Sequence, residues 1–205
     1  MNRRDLIKQI ALLTGGLVIG SEVFLSGCKQ PGKTGLLLSE KELALLDELG
    51  ETIIPATDTP GAKAANIAAF MNSIVSDCYT QQEQDAFMKG LKAIDETCKS
   101  VVGSNFIESS AEKKLQFVVH LEKEAKAYDE KIKPKNAAAE KEAKEKGTPY
   151  TAEPPHYYTM MKQLTLWGFF TSKTGMTETL RHIAVPGRYD GNTPYKEGEK
   201  AWAGD

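Results

Sequence analysis

From Leu43 onward, apolar side chains recur three and four positions apart, the spacing that lines one face of a helix. Leu43, Leu46, Leu49 and Ile53 form the first stripe. It opens on a capping box, Ser39-Glu40-Lys41-Glu42, where the serine hydroxyl accepts from the backbone near Glu42 and Glu42 reaches back. Pro55 closes it. A second helix is predicted from about Lys63 to Tyr79, burying Ile67, Phe70, Met71, Ile74, Val75 and Cys78. Thr80-Gln81-Gln82-Glu83 repeats the capping box and starts a third, with Phe87, Leu91, Ile94, Cys98 and Val101 inward and a break at Gly103-Ser104-Asn105. Ser109-Ser110-Ala111-Glu112 caps a fourth, whose stripe reads Leu115, Val118 and Val119.

From Lys123 to Lys146 the chain is almost purely Ala, Glu and Lys, interrupted by Pro134. Such sequence favours helix through propensity and i,i+4 ion pairs but has little apolar face to bury, so residues 123–147 are expected as a solvent-exposed helical extension or a mobile insert. Thr148 to Pro155 reads as a Pro-rich linker. Then Tyr157, Tyr158, Met160, Met161, Leu164, Leu166, Trp167, Phe169 and Phe170 crowd around Gly168. A helix apolar on more than one side is either the centre of a bundle or serves both core and interface. A short helix from Met176 to His182 is expected next. The tail from Ala184 to Asp205 shows no period and carries Tyr189, Tyr195 and Trp202 between turn signals, so its aromatics must dock on the protein's own surface or on a partner. The fold class is therefore all-α: a compact helical bundle with a charged helical extension and an extended, aromatic-bearing C-terminal tail.

Between the first two helices, Ala56-Thr57-Asp58-Thr59-Pro60-Gly61-Ala62 has the composition of a tight turn, with Asp58 and Thr59 able to bond backbone amides, Pro60 fixing its own φ and Gly61 free to take a positive one. It is read either as a well-made helix connection or as a loop that touches a partner.

The N-terminus has a different logic. Arg3-Arg4 precedes the apolar run Ile10 to Gly20, and Leu25-Ser26-Gly27-Cys28 follows. A basic head, a short apolar middle and a small-residue cleavage site have the layout of an export signal, too short and Gly-rich for a spanning helix. Arg3-Arg4-x-Leu6-Ile7-Lys8 resembles the twin-arginine export motif, with Asn2 and Leu6 as departures. Leu25-Ser26-Gly27-Cys28 resembles a lipoprotein box, which predicts cleavage before Cys28 and acylation of its thiol. A plain Sec lipoprotein signal and an uncleaved anchor are the competing readings. The expected organisation is a signal over 1–27, a tether over 28–38 and one helical domain over 39–205.

Charge and chemistry narrow the function classes. The 205 residues hold 26 Lys and Arg against 28 Asp and Glu, and this balance gives no basic surface for nucleic acid. With Cys28 assigned to lipid, Cys78 and Cys98 remain, without a C-x-x-C spacing, and are expected as a disulfide or as two buried free thiols. The three histidines, His120, His156 and His182, lie on separate elements, and no nucleotide-binding, nucleophile-elbow or zinc-protease motif is present. The residues thus propose no catalytic, cofactor-binding or metal site in this chain.

Glu51-Thr52-Ile53-Ile54-Pro55 leading into Thr57-Asp58-Thr59-Pro60-Gly61-Ala62, then Leu164-Thr165-Leu166-Trp167-Gly168-Phe169-Phe170-Thr171-Ser172, then Val185-Pro186-Gly187-Arg188-Tyr189-Asp190-Gly191, with Ala201-Trp202 near the end, resembles the gluconate 2-dehydrogenase subunit 3 family. The resemblance covers most of residues 39–202 outside the Ala/Glu/Lys insert. It implies a small non-catalytic subunit of a membrane-associated sugar or polyol dehydrogenase. In such a complex the FAD sits in a large subunit of the glucose-methanol-choline oxidoreductase type, and electrons pass to a cytochrome or another acceptor. Beside the signal, which is expected to place the chain in the bacterial cell envelope facing the periplasm, it implies that Arg3 and Arg4 would export a folded pair and that Cys28 would hold it on lipid. Asp58, Pro60, Trp167, Phe169, Phe170, Tyr189, Tyr195 and Trp202 are the expected partner contacts, since aromatics dominate interface energetics. Two other functions compete: a solitary lipoprotein with a binding or scaffolding role, and a stand-alone sugar-active enzyme using carboxylates such as Asp58 or Asp190.

Overall fold

The computed structural model describes residues 38–185, 187, 191–194 and 196–203. Arg3, Arg4, Cys28, Tyr189, Tyr195 and Asp190 lie outside the described residues. The order of elements is α1 (Glu40–Ile53), a 3-10 turn (Ala62–Ala65), α2 (Ile67–Cys78), α3 (Gln81–Val102), α4 (Ala111–Lys146), α5 (Tyr157–Thr171) and a single π-type turn (Gly175–Thr179). The architecture is all-α, a helical bundle, as the apolar spacing predicts. Both capping boxes form: Ser39 with Glu42 on α1 and Thr80 with Glu83 on α3. Gly103 ends α3 in the left-handed conformation at φ 82, and Ser110 caps α4.

The core is one apolar cluster. Leu46, Leu49, Ile67, Met71, Phe87, Ile94, Phe117, Leu121 and Phe169 are fully buried, each such side chain stabilising the fold by about 1.5–3 kcal/mol. Leu38 joins this cluster and its backbone N–H donates to Asn72 Oδ1 at 3.4 Å, so the last residue assigned to the tether belongs to the fold.

Three local readings change. The second helix does not start at Lys63: residues 62–65 make a 3-10 turn, and Asn66 turns the chain in the left-handed region (φ 52) before α2 begins. On α4 the buried face is Phe117, Val118, Leu121 and Ala125, and the expected Leu115 and Val119 face solvent. The predicted helix from Met176 to His182 is only the π-type turn, followed by a bridge between Arg181 and Trp202.

The Ala/Glu/Lys stretch is a helical extension continuous with α4. The 36 residues of α4 run through Pro134, whose ring removes the bond to the Glu130 carbonyl without ending the helix. At 1.5 Å per residue α4 is about 54 Å long, whereas α2 has 12 residues and α5 has 15. Gly147 (φ 64) reverses the chain, and the Pro-rich segment doubles back along α4. Asn136 holds it reciprocally, donating from Nδ2 to the Glu153 carbonyl (2.9 Å) and accepting from the Glu153 N–H (3.0 Å). Asp129 accepts from the His156 N–H at 2.8 Å and from Thr159 Oγ1 at 2.6 Å. The return therefore delivers α5 in a fixed position.

α5 is the central helix and packs against α1, α2, α3 and α4. Two glycines permit this. A Cβ on Gly90 of α3 would lie 2.0 Å from Tyr157 Cγ, and one on Gly168 would lie 2.5 Å from Phe70 Cδ1. Among the described residues no helix is long and apolar enough to cross a membrane.

Candidate functional site

The outer side of α5 stays apolar where solvent should favour polar residues. Trp167 is 52% exposed and Phe170 40%, with Leu166 beside them, while Phe169 between them is completely buried. Trp167 meets the Phe70 ring of α2 edge-on, centroids 5.2 Å apart, and Phe170 meets Phe169 the same way at 5.2 Å. These edge-to-face contacts hold the exposed rings in one orientation and limit the side-chain entropy lost on binding. Phe169 is thus a core residue and not a partner contact: a helix apolar all round conceals which phase points inward. Trp167 and Phe170, named with it as expected partner contacts, are open to solvent.

The loop after α1 is built around Glu51. Its carboxylate accepts from the Ala56 N–H at 2.8 Å through Oε1 and from the Lys63 N–H at 3.0 Å through Oε2, pinning both ends of the loop. The Thr57 N–H donates to the Thr59 carbonyl at 2.9 Å, and the Ala62 N–H to the Ile54 carbonyl at 2.9 Å. Gly61 crosses so close to this carboxylate that a Cβ there would come within 2.3 Å of Glu51 Oε1. Its φ of −88 shows that the glycine is needed for room and not for a left-handed turn. Asp58 is exposed at the tip and Pro60 is half-buried.

Below the loop, Glu48 pairs with Lys63 and, at 2.9 Å, with Lys114. Burial opposes its charge, yet the two lysines hold its carboxyl below the usual value. Asp47 accepts from the Ala68 N–H at 3.1 Å and Asp95 from the Phe106 N–H at 3.0 Å. Each of these carboxylates secures a turn or a helix start.

The tail closes on itself at its base. The Arg181 N–H donates to the Ala201 carbonyl (2.8 Å), the Ala203 N–H donates to the Arg181 carbonyl (3.0 Å), and the Arg181 guanidinium lies 3.7 Å from the Trp202 ring centre. Glu199 accepts from Arg181 Nη1 at 3.4 Å. Trp202 is therefore docked on the protein's own surface with half its area still open, while Ile183 and Val185 are exposed on the closed loop.

Where α5 begins, His156 caps it, its Nδ1 accepting from the Tyr158 N–H at 3.3 Å. The ring sits between Tyr128 (5.6 Å) and Tyr157 (4.3 Å). Burial lowers its pKa, against the pull of Asp129 and Glu124, and favours the neutral form that the cap requires. Burial also raises the Tyr157 phenol to about 12. Beside the cap, a shallow groove of about 400 Å³ runs between α4 and α5, with Ala125, Tyr158 and Leu166 as its apolar floor. Lys162 bridges the groove to Glu122 at 2.7 Å.

The cysteines are corrected. Both are free thiols; Cys98 is buried on α3, but Cys78 is exposed at the end of α2, so the expected disulfide is absent and only one of the two is buried. Among the described residues no three His, Cys, Asp or Glu side chains gather as metal ligands.

Residues 40–187 match the model of a protein family described as gluconate 2-dehydrogenase subunit 3. The chain belongs to that family. The match makes this subunit 3 protein an accessory subunit of a dehydrogenase complex, and it takes in the Glu51 loop, α5 and Val185. Comparison with curated proteins and with solved structures returns no match. In this subunit 3 chain, sequence reasoning overlooked the structural work of Glu51 and Arg181. Glu51 binds only backbone amides, which leave no residue-type signature, and Arg181 acts through a partner far along the chain. Phe70, expected in the core stripe of α2, is half-buried under Trp167.

Proposed function

We propose that this chain is the non-catalytic small subunit that exports, stabilises and membrane-tethers an FAD-dependent large subunit of the glucose-methanol-choline type, in a dehydrogenase acting on a sugar or polyol of the gluconate kind. The observation that carries the reading is the exposed aromatic face of α5, where Trp167 and Phe170 stand open on the helix that also centres the core. A monomer gains nothing from leaving such rings wet, and interfaces draw most of their binding energy from aromatic anchors of this sort. The FAD belongs to the large subunit, which passes electrons to a cytochrome or another acceptor. Arg3 and Arg4 route the folded pair out of the cytoplasm, and lipid on Cys28 holds it on the periplasmic side of the envelope.

Co-purification from membranes tests the core of this reading: wild-type chain should bring down a flavin-containing protein, and Trp167→Ala with Phe170→Ala should lose it. Recovery of the lipoprotein without any flavoprotein would favour the solitary scaffold instead. Replacing Arg3-Arg4 by Lys-Lys tests the export role separately, and full periplasmic dehydrogenase activity in that variant would sink it.

A further inference from the structure

We propose that Glu51 is the positioning residue of a second docking element, the loop 55–61, and that its carboxylate holds Asp58 in register with the aromatic face of α5 so that both meet the large subunit as one surface. This rests on the docking role proposed above for Trp167 and Phe170 and assigns it a further element and a residue that never touches the partner.

Several observations converge. Pro55, Ala56, Thr57 and Asp58 are exposed and contribute nothing to the core, yet the loop carrying them is held in one shape by two bonds to a single carboxylate, by a bond across its tip and by Gly61. A plain helix connection does not need this. Backbone amides bonded to an ionised acceptor make stronger bonds than amides paired with neutral oxygens, so the loop resists opening more than its exposure would suggest.

The loop is also mechanically joined to the aromatic face. Gly50, next to Glu51, receives Ala62 at 3.4 Å and Thr165 of α5 at 3.7 Å from its Cβ position. One turn later Gly168 lets Ile67 and Phe70 close on α5, and Phe70 carries Trp167 on its edge. A continuous packed path thus runs from the Glu51 loop through Ala62 and Ile67 to Trp167. Preorganising two separated contacts on one rigid joint reduces the ordering cost of binding them together.

The experiment uses the full chain reconstituted with the FAD-containing large subunit. It measures the dissociation constant, the melting midpoint of the small subunit and amide exchange at Ala56 and Lys63. Glu51→Ala should speed exchange at both amides and weaken association about tenfold, and Glu51→Gln, which keeps an acceptor oxygen, should recover part of it. Pro60→Gly loosens the same loop without touching Glu51 and should weaken association about threefold, even if Glu51→Ala fails to fold. Asp58→Ala, at the tip, should weaken association with wild-type exchange. Faster exchange in Glu51→Ala or Pro60→Gly with an unchanged dissociation constant overturns the proposal while leaving the aromatic docking face intact. Failure of the wild-type chain to bind the large subunit overturns the docking reading itself.

Discussion

The central helix α5 and the outer half of α4 are both regular helices, yet they are held by different forces. α5 contains Gly168 and several β-branched and aromatic residues, a composition that would make a poor isolated helix, and it exists because every neighbouring helix packs on it. The outer half of α4 buries little beyond Ile132 and Ala143, and it persists through Ala, Glu and Lys propensity and pairs such as Glu140 with Lys144 and Glu142 with Lys146. Packing fixes a helix in three dimensions, whereas propensity only keeps it helical. A docking face such as the one proposed for Trp167 and Phe170 has to be fixed, and α5, unlike the outer half of the longer helix, is fixed by packing.

The sharpest way to break this comparison is within α5 itself. Phe169→Ala should destabilise the fold by about 3–5 kcal/mol, measured by denaturant unfolding, because it empties a fully buried site. Its neighbour Trp167→Ala, half-exposed and packed edge-on against Phe70, should cost less, about 1–2 kcal/mol, while abolishing co-purification with the large subunit. Equal losses of stability would mean that the two phases of α5 are not distinct.

Gly90→Ala comes next. In an isolated helix alanine would help, but here the added methyl meets Tyr157, so a loss of about 1–3 kcal/mol is expected in the same measurement. A gain would show that α5 can shift off α3 and is less firmly seated than described.

A smaller effect should appear at the junction of the two regions, where His156 caps α5. Its folded pKa lies below the ordinary 6.5, so the folded state binds fewer protons than the unfolded chain as the pH falls. Its contribution is fully present above about 6.5, falls as the solution is acidified through the folded value, and levels off beneath it. His156→Asn, which caps without titrating, should remove this part of the acid limb from a melting profile between pH 7 and 5. Losses that set in only near pH 4 belong instead to carboxylates such as Glu48, whose pKa is also lowered.

The smallest effect belongs to the arm. Glu140→Gln with Glu142→Gln should move the global melting midpoint by no more than about 1–2 °C, while circular dichroism loses a little helix and amide exchange speeds up near Lys144. A larger shift would mean that the arm is part of the cooperative unit after all.

Features that depend on nearby residues were legible in the sequence. Ser39 with Glu42 and Thr80 with Glu83 are contacts three residues apart, and Gly103 stops α3 by its own conformational freedom. Choices of phase were not. On α4, Leu115 with Val119 and Phe117 with Leu121 have the same i,i+4 spacing, and only the packing of other helices decides that the second pair is inward. On α5 the same ambiguity hid Phe169 among the exposed aromatics. The break at Asn66 was missed because Ala62 to Ala65 has good helix propensity, and the chain is turned there by Glu51 and Asp47 holding its amides.

The Arg181–Trp202 clasp has a consequence for how this chain tolerates change in length. Because Arg181 and Trp202 meet, the chain between them is closed at its ends, and the entropic cost of such a closure grows only with the logarithm of its length. Doubling it would cost about 0.6 kcal/mol. The family match ends at residue 187, between Arg181 and Trp202. On chain entropy alone, the tail is thus a segment whose lengthening costs the fold little.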